Sequence, residues 1–148
     1  MSELLHLVFV ENEKDLVRDV MQQLRHSTSP HYTTLDDDVL HQRVADLIAY
    51  FMISLKETPD QFTKYIGGIA EERFVENYSI TECLSALRTL EEKAWALIVR
   101  EIPQQDLVHA LTRVTGNIGA AKDLMAKVFV EHLERGQDRP SAPVAFTD

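Results

Sequence analysis

Several things are scarce in this chain, and each scarcity excludes something. Cysteine occurs once, as Cys83. No disulfide can form within the chain, and no cation or base near Cys83 in sequence would activate its thiol, so a buried structural thiol is expected. Glycine and proline occur five times each in 148 residues, too few for a fold built from many tight turns. No apolar run approaches the ~20 residues that span a bilayer; Leu4 to Val10 is far shorter. The N-terminus lacks the basic region, apolar run and small-residue cleavage site of a secretory leader, so the cytoplasm is the expected compartment. Basic residues number 15 against 24 acidic ones, for a net charge of −9. A surface this acidic repels phosphate backbones and anionic membranes, which argues against nucleic acid and lipid as partners. There is no glycine-rich phosphate loop, nucleophile elbow, zinc-finger spacing or internal repeat. Nothing here recommends an enzyme.

What the sequence has is helical periodicity. With 45% hydrophobic and 26% charged residues, the chain is long enough for one domain with its own core. Apolar positions recurring every three to four residues predict an all-α, five-helix bundle with a long C-terminal helix. The first helix is expected over Ser2–Leu24, although the run Leu4–Val10 also suits a buried strand, and Arg25–Thr33 is expected to be a loop. A second helix follows Thr34, its first turn carrying Asp36, Asp37 and Asp38 where the helix dipole favours them. Thr58-Pro59-Asp60-Gln61 predicts a third start, capped by Thr58. Gly67 and Gly68 fall inside that helix, as a close helix crossing would require. Ser79 and Glu82 form a capping box at the head of the central helix, which Pro103 ends after Ile102. Leu107, Leu111, Val114, Ile118, Ala121, Met125, Val128 and His132 make a heptad seam. It predicts one helix from about Gln104 to Arg135, with Gly116 and Gly119 as the places for a kink. Residues 1–135 are therefore read as a helical domain and 136–148 as a flexible tail or linker.

Three acid-x-x-His pairs (Glu3 with His6, Asp38 with His41, Asp106 with His109) invite comparison with di-metal bundles. All three fall in first turns, and no carboxylate lies mid-helix on an inward stripe, so no metal is expected. Haem would need an axial histidine in an apolar pocket. His109 and His132 are the candidates on the last helix, and a solvated role is favoured for both, so no cofactor is expected. The clusters Glu71-Glu72-Arg73 and Glu91-Glu92-Lys93 are expected to be solvated faces. A helix as long as 104–135 should outrun its neighbours and expose Leu124, Met125, Val128 and Phe129. Those residues are the expected interface of a homodimer.

The stretches Phe62-Thr63-Lys64-Tyr65-Ile66, Ala70-Glu71-Glu72-Arg73 and Tyr78-Ser79-Ile80-Thr81-Glu82-Cys83-Leu84-Ser85-Ala86-Leu87-Arg88 carry a resemblance. With Tyr32 and the Leu35–Leu55 helix, they make the chain similar to the N-terminal helical domain of RsbT co-antagonist proteins of the RsbRD type. Asn77 stands where that family often has glycine, and Glu91 where a basic residue is common. The resemblance implies a signal-input or scaffold module of bacterial stress signalling, placed ahead of an output partner such as a STAS domain or histidine kinase. It carries no catalytic residues with it. The alternative is a sensor of a small molecule, haem or metal. The expected output domain is not within these residues, so the domain either acts alone or continues beyond the Pro140 linker.

Overall fold

Six helices in one bundle make up the computed structural model, which describes residues 2–136. They are α1 (Ser2–Glu11), α2 (Glu13–Arg25), α3 (Asp37–Lys56), α4 (Asp60–Val75), α5 (Ile80–Glu101) and α6 (Leu107–Glu134), with a 3-10 turn at Gln104–Asp106 before α6. Among the described residues there is no strand, and no helix is long and apolar enough to cross a membrane. The linker expected beyond Gly136 lies outside the described residues.

The count is six rather than five because the first predicted helix is two. Asn12 breaks it, with φ −113° and ψ 14°. Its Nδ2 donates to the Val8 carbonyl at 2.8 Å, and its backbone N–H reaches back three residues to Phe9. The side-chain amide thus competes for a carbonyl that the helix ladder would use. The apolar run Leu4–Val10 is helical, and it buries Leu5, Val8 and Phe9. The start of α3 also falls later than expected. Asp36 takes the cap position, while the Thr33 and Thr34 hydroxyls donate to carbonyls of Ser29, Pro30 and His31 instead. Thr58 does not cap α4; the helix starts from Pro59, whose fixed φ suits a helix entry, with no side-chain cap bond.

Helix α5 is the centre of the bundle. It lies against α2 on one side and α6 on the other, and it also touches α1 and α4. Its capping box is present: Ser79 Oγ accepts from the Glu82 N–H at 3.1 Å, and Glu82 Oε1 accepts from the Ser79 N–H at 2.9 Å. Cys83, Ala86, Leu87, Leu90, Ala94, Leu97 and Ile98 are all buried on it. Helix α6 runs without interruption through Gly116 and Gly119. It packs along both α4 and α5, and Arg113 and Asn117 donate to the otherwise orphaned carbonyl of Ser54 in the last turn of α3.

This packing changes the expectation for the end of α6. The strip Leu124, Met125, Val128, Phe129 does not project from the single chain. Met125 and Phe129 are 3% and 2% exposed, and Leu124 and Val128 are partly buried against the same core. Helix α4 runs far enough to cover them. The Phe74 ring meets Phe129 edge-on at 5.5 Å, and a Cβ on Gly67 would stand 3.8 Å from the Leu124 side chain. The expected close crossing at Gly67 and Gly68 is therefore a loose one: Gly67 faces α6 at ordinary contact distance, and Gly68 faces open space.

Candidate functional site

Two features gather the polar side chains of the interior, one on each side of the α4–α5 turn. The first is built on Glu82. As third residue of α5 it completes the capping box, but it is also buried, because the 26–35 connection folds over it. Ser29 Oγ donates to Oε2 at 2.5 Å, the His31 N–H donates at 3.1 Å, and His31 Nδ1 lies 2.9 Å from both oxygens. Burial pushes this carboxyl up. The bonds from the Ser29 hydroxyl, the Ser79 and His31 amides and the His31 ring outweigh burial and hold it below the usual carboxylate range. Each oxygen of Glu82 is occupied by donors.

The second feature starts at the turn itself. Asn77 has φ 67°, the left-handed conformation that ends a helix. The Tyr78 N–H returns to the Arg73 carbonyl and the Asn77 N–H to Phe74, as in the Schellman motif. The turn lays Tyr78 under Arg73, whose guanidinium carbon stands 5.6 Å from the ring centroid. Tyr78 accepts a bond from Arg43 Nη1 at 2.8 Å, and both arginines reach Glu76, each at 3.4 Å. Arg73, expected on a solvated face, is 5% exposed. Its aliphatic stem packs inside the bundle and its head turns to the Tyr78 face.

Beside this network lies a cavity of about 40 Å³ between α3, α4 and α5. Its wall is mainly aliphatic, with Val44, Ile66, Leu87 and Met125 among the lining residues. Its polar members are Tyr32, Arg43, Tyr65, Arg73 and Cys83. Burial raises the Tyr32 phenol far above its ordinary value and pushes Tyr65 up to about 12, so both stay protonated and able to donate. Tyr32 comes from the connection expected to be an ordinary surface loop, and sequence gave no sign that it would be buried.

The other candidate residues are scattered. His109 is exposed. His132, expected to be solvated, is buried: it stacks on Phe74 with centroids 4.9 Å apart and meets Glu71 through Nε2 at 3.0 Å, while its Nδ1 has no partner among the described residues. Neither histidine lines the cavity. Among the described residues, no three or more His, Cys, Asp and Glu side chains come together as metal ligands. Glu91 pairs with Lys122 at 2.9 Å and ties α5 to α6.

Residues 14–142 match the model of the family described as the RsbT co-antagonist protein rsbRD N-terminal domain. The matched segment begins in α2 and takes in the Glu82 cluster, the α4–α5 turn and the cavity. Helix α1 lies ahead of it. No curated protein and no solved structure matches the chain.

Proposed function

The chain belongs to the RsbRD N-terminal domain family, and from that membership we propose that it is a signal-input and protein-interaction domain, non-enzymatic, within a stress-response signalling protein. The observation that carries the reading is the extent of the match, which spans α2 to α6 and therefore the whole α3–α6 bundle. The polar interior supports it. Glu82, the best-placed carboxylate, is saturated by Ser29, His31 and Ser79 and serves to fix the fold.

An input domain needs an element that passes a change at one end of the bundle to the other. Helix α6 has that form: 28 uninterrupted residues in contact with α4 and α5, with Met125 at the cavity and Gly136 just past its end. The output partner is of the STAS or histidine-kinase type, and the working assembly is a homodimer in the cytoplasm. In-frame deletion of the domain in its native host, with a general stress-response reporter as readout, tests the proposal. Altered induction after stress is expected; an unchanged reporter across stresses overturns it.

A further inference from the structure

We propose that the cavity between α3, α4 and α5 is a binding site for a short carboxylate of about acetate size, its charge held by Arg73 and Arg43. The inference deepens the input-domain reading and rests on it for its biological meaning, but the site is argued from the cavity alone.

The polar lining has one chemical character. Tyr32, Arg43, Tyr65, Arg73 and Cys83 can all donate, two of them are permanently cationic, and the lining holds neither a carboxylate nor a histidine. Such a wall suits an acceptor-rich anion. Burial keeps both phenols protonated, so they remain donors across the physiological range.

Arg73 is the decisive residue. A guanidinium has five N–H donors and desolvates at considerable cost unless they are matched. Arg73 is buried, yet only Nη1 has carboxylate neighbours, at 3.5 Å to Glu72 and 3.4 Å to Glu76. Charge-assisted bonds normally fall near 2.7–2.9 Å, so both contacts are weak. Glu76 is also shared with Arg43. A carboxylate in the cavity would give the guanidinium a short, planar partner in place of these two long contacts, beside the Tyr78 face it already covers.

The rest of the wall sets the tail. Val44, Ile66, Leu87 and Met125 offer apolar surface and no acceptor side chain. A water-sized sphere occupies ~10–15 Å³, so a cavity of about 40 Å³ takes roughly three to four non-hydrogen atoms. Formate and acetate fit that range, and hexanoate does not. A ligand of so few atoms binds with a Kd of about 0.1–10 mM.

The test is a titration of the isotope-labelled protein followed by amide NMR. Formate, acetate, propionate and hexanoate are added up to 20 mM at constant ionic strength, with acetamide as the neutral control. Saturable shifts are expected for acetate at Tyr65, Arg73, Cys83 and Leu87, with binding at least ~10-fold weaker for hexanoate and none for acetamide. Arg73→Gln should abolish the shifts. Should that variant fail to fold, Arg43→Gln, at a partly exposed position, should weaken binding about 10-fold or more, and the cavity-filling Ala86→Val should block it. No saturable response to any acid overturns the proposal. So does equal binding of acetamide, or undiminished binding by Arg43→Gln and Ala86→Val. Loss of the stress response on deletion, together with a null titration, would leave the input-domain reading standing and remove only the ligand.

Discussion

His31 and Tyr78 stack face to face, with ring centroids 3.9 Å apart and planes inclined by 16°. The two residues are far apart in sequence: one lies in the α2–α3 connection and the other in the α4–α5 turn. The stack, with His31 bonded to Glu82 and Tyr78 to Arg43, makes a clasp that fixes the connection over the head of α5. Tyr32, the next residue, is thereby carried inward to the cavity, where it meets Tyr78 edge-on at 5.6 Å.

The clasp gives acid sensitivity a definite sign. The Glu82 carboxyl lies below its ordinary value of 4.5 in the folded chain. Its contribution to stability is complete above ~4.5 and is lost as pH falls through the lower, folded value. Glu82→Gln removes the charge and replaces one acceptor with a donor facing donors. It should cost about 1.5–3 kcal/mol at pH 7, measured by urea melts, and the gap to wild type should narrow steadily below pH 4.5. A gap that stays constant down to pH 3 would mean the charged form is not what stabilises the clasp.

Asn77 holds the α4–α5 turn in the left-handed region. Its φ of 67° is the conformation glycine adopts freely and asparagine tolerates better than other residues. Asn77→Gly should therefore change stability by less than about 0.5 kcal/mol, whereas Asn77→Ala should cost about 1 kcal/mol or more. Equal thermal melts for the two variants would show that the left-handed turn is not required.

How much of this was legible in sequence depends on how local the cause was. The capping box at Ser79 and Glu82 and the Cys83–Ile98 stripe need only residues three or four apart, and both are present. The second duty of Glu82 depends on Ser29 and His31, more than fifty residues away, and no periodicity carries that information. The Asn12 break was hidden because the apolar phase on either side runs on through it. Arg73 looked solvated beside two glutamates, because the Asn77 turn that folds Tyr78 beneath it acts through three-dimensional placement. The α6 seam was correct in its middle, at Val114, Ile118, Ala121 and Met125. His132 at its end is buried as well, while Ala110 and Phe129 are buried where the seam had Leu111 and Val128, which are only partly so.

The interior glycines yield a stabilising prediction. Gly68 and Gly116 are exposed within helices and a Cβ on either would meet nothing within 4 Å. Each therefore costs its helix ~0.5–1 kcal/mol relative to alanine with no packing gain in return. Gly68→Ala and Gly116→Ala lie on different helices, so their effects should add, giving about 1–2 kcal/mol by chemical denaturation. No gain from either would indicate that these positions are occupied by something in the native state.

A homodimer of the kind proposed would need other residues than the buried part of the seam. Met125 and Phe129 belong to the core of a single chain, so Met125→Glu would place a carboxylate inside it and unfold the protein whatever its oligomeric state. The apolar groups that α6 leaves to solvent near its end are Val130 and Leu133, 47% and 59% exposed. Pairing through these would bring two copies of the last turn together, next to Gly136, and so couple two outputs. Because both are exposed, Val130→Glu with Leu133→Glu should leave the fold intact by circular dichroism while converting a dimer to a monomer by light scattering. A wild-type chain that is monomeric at high micromolar concentration, or a double variant that stays dimeric, would remove α6 from the interface. The apolar outer row of α1, Leu4, Leu7 and Val10, would then be the next surface to substitute in the same experiment.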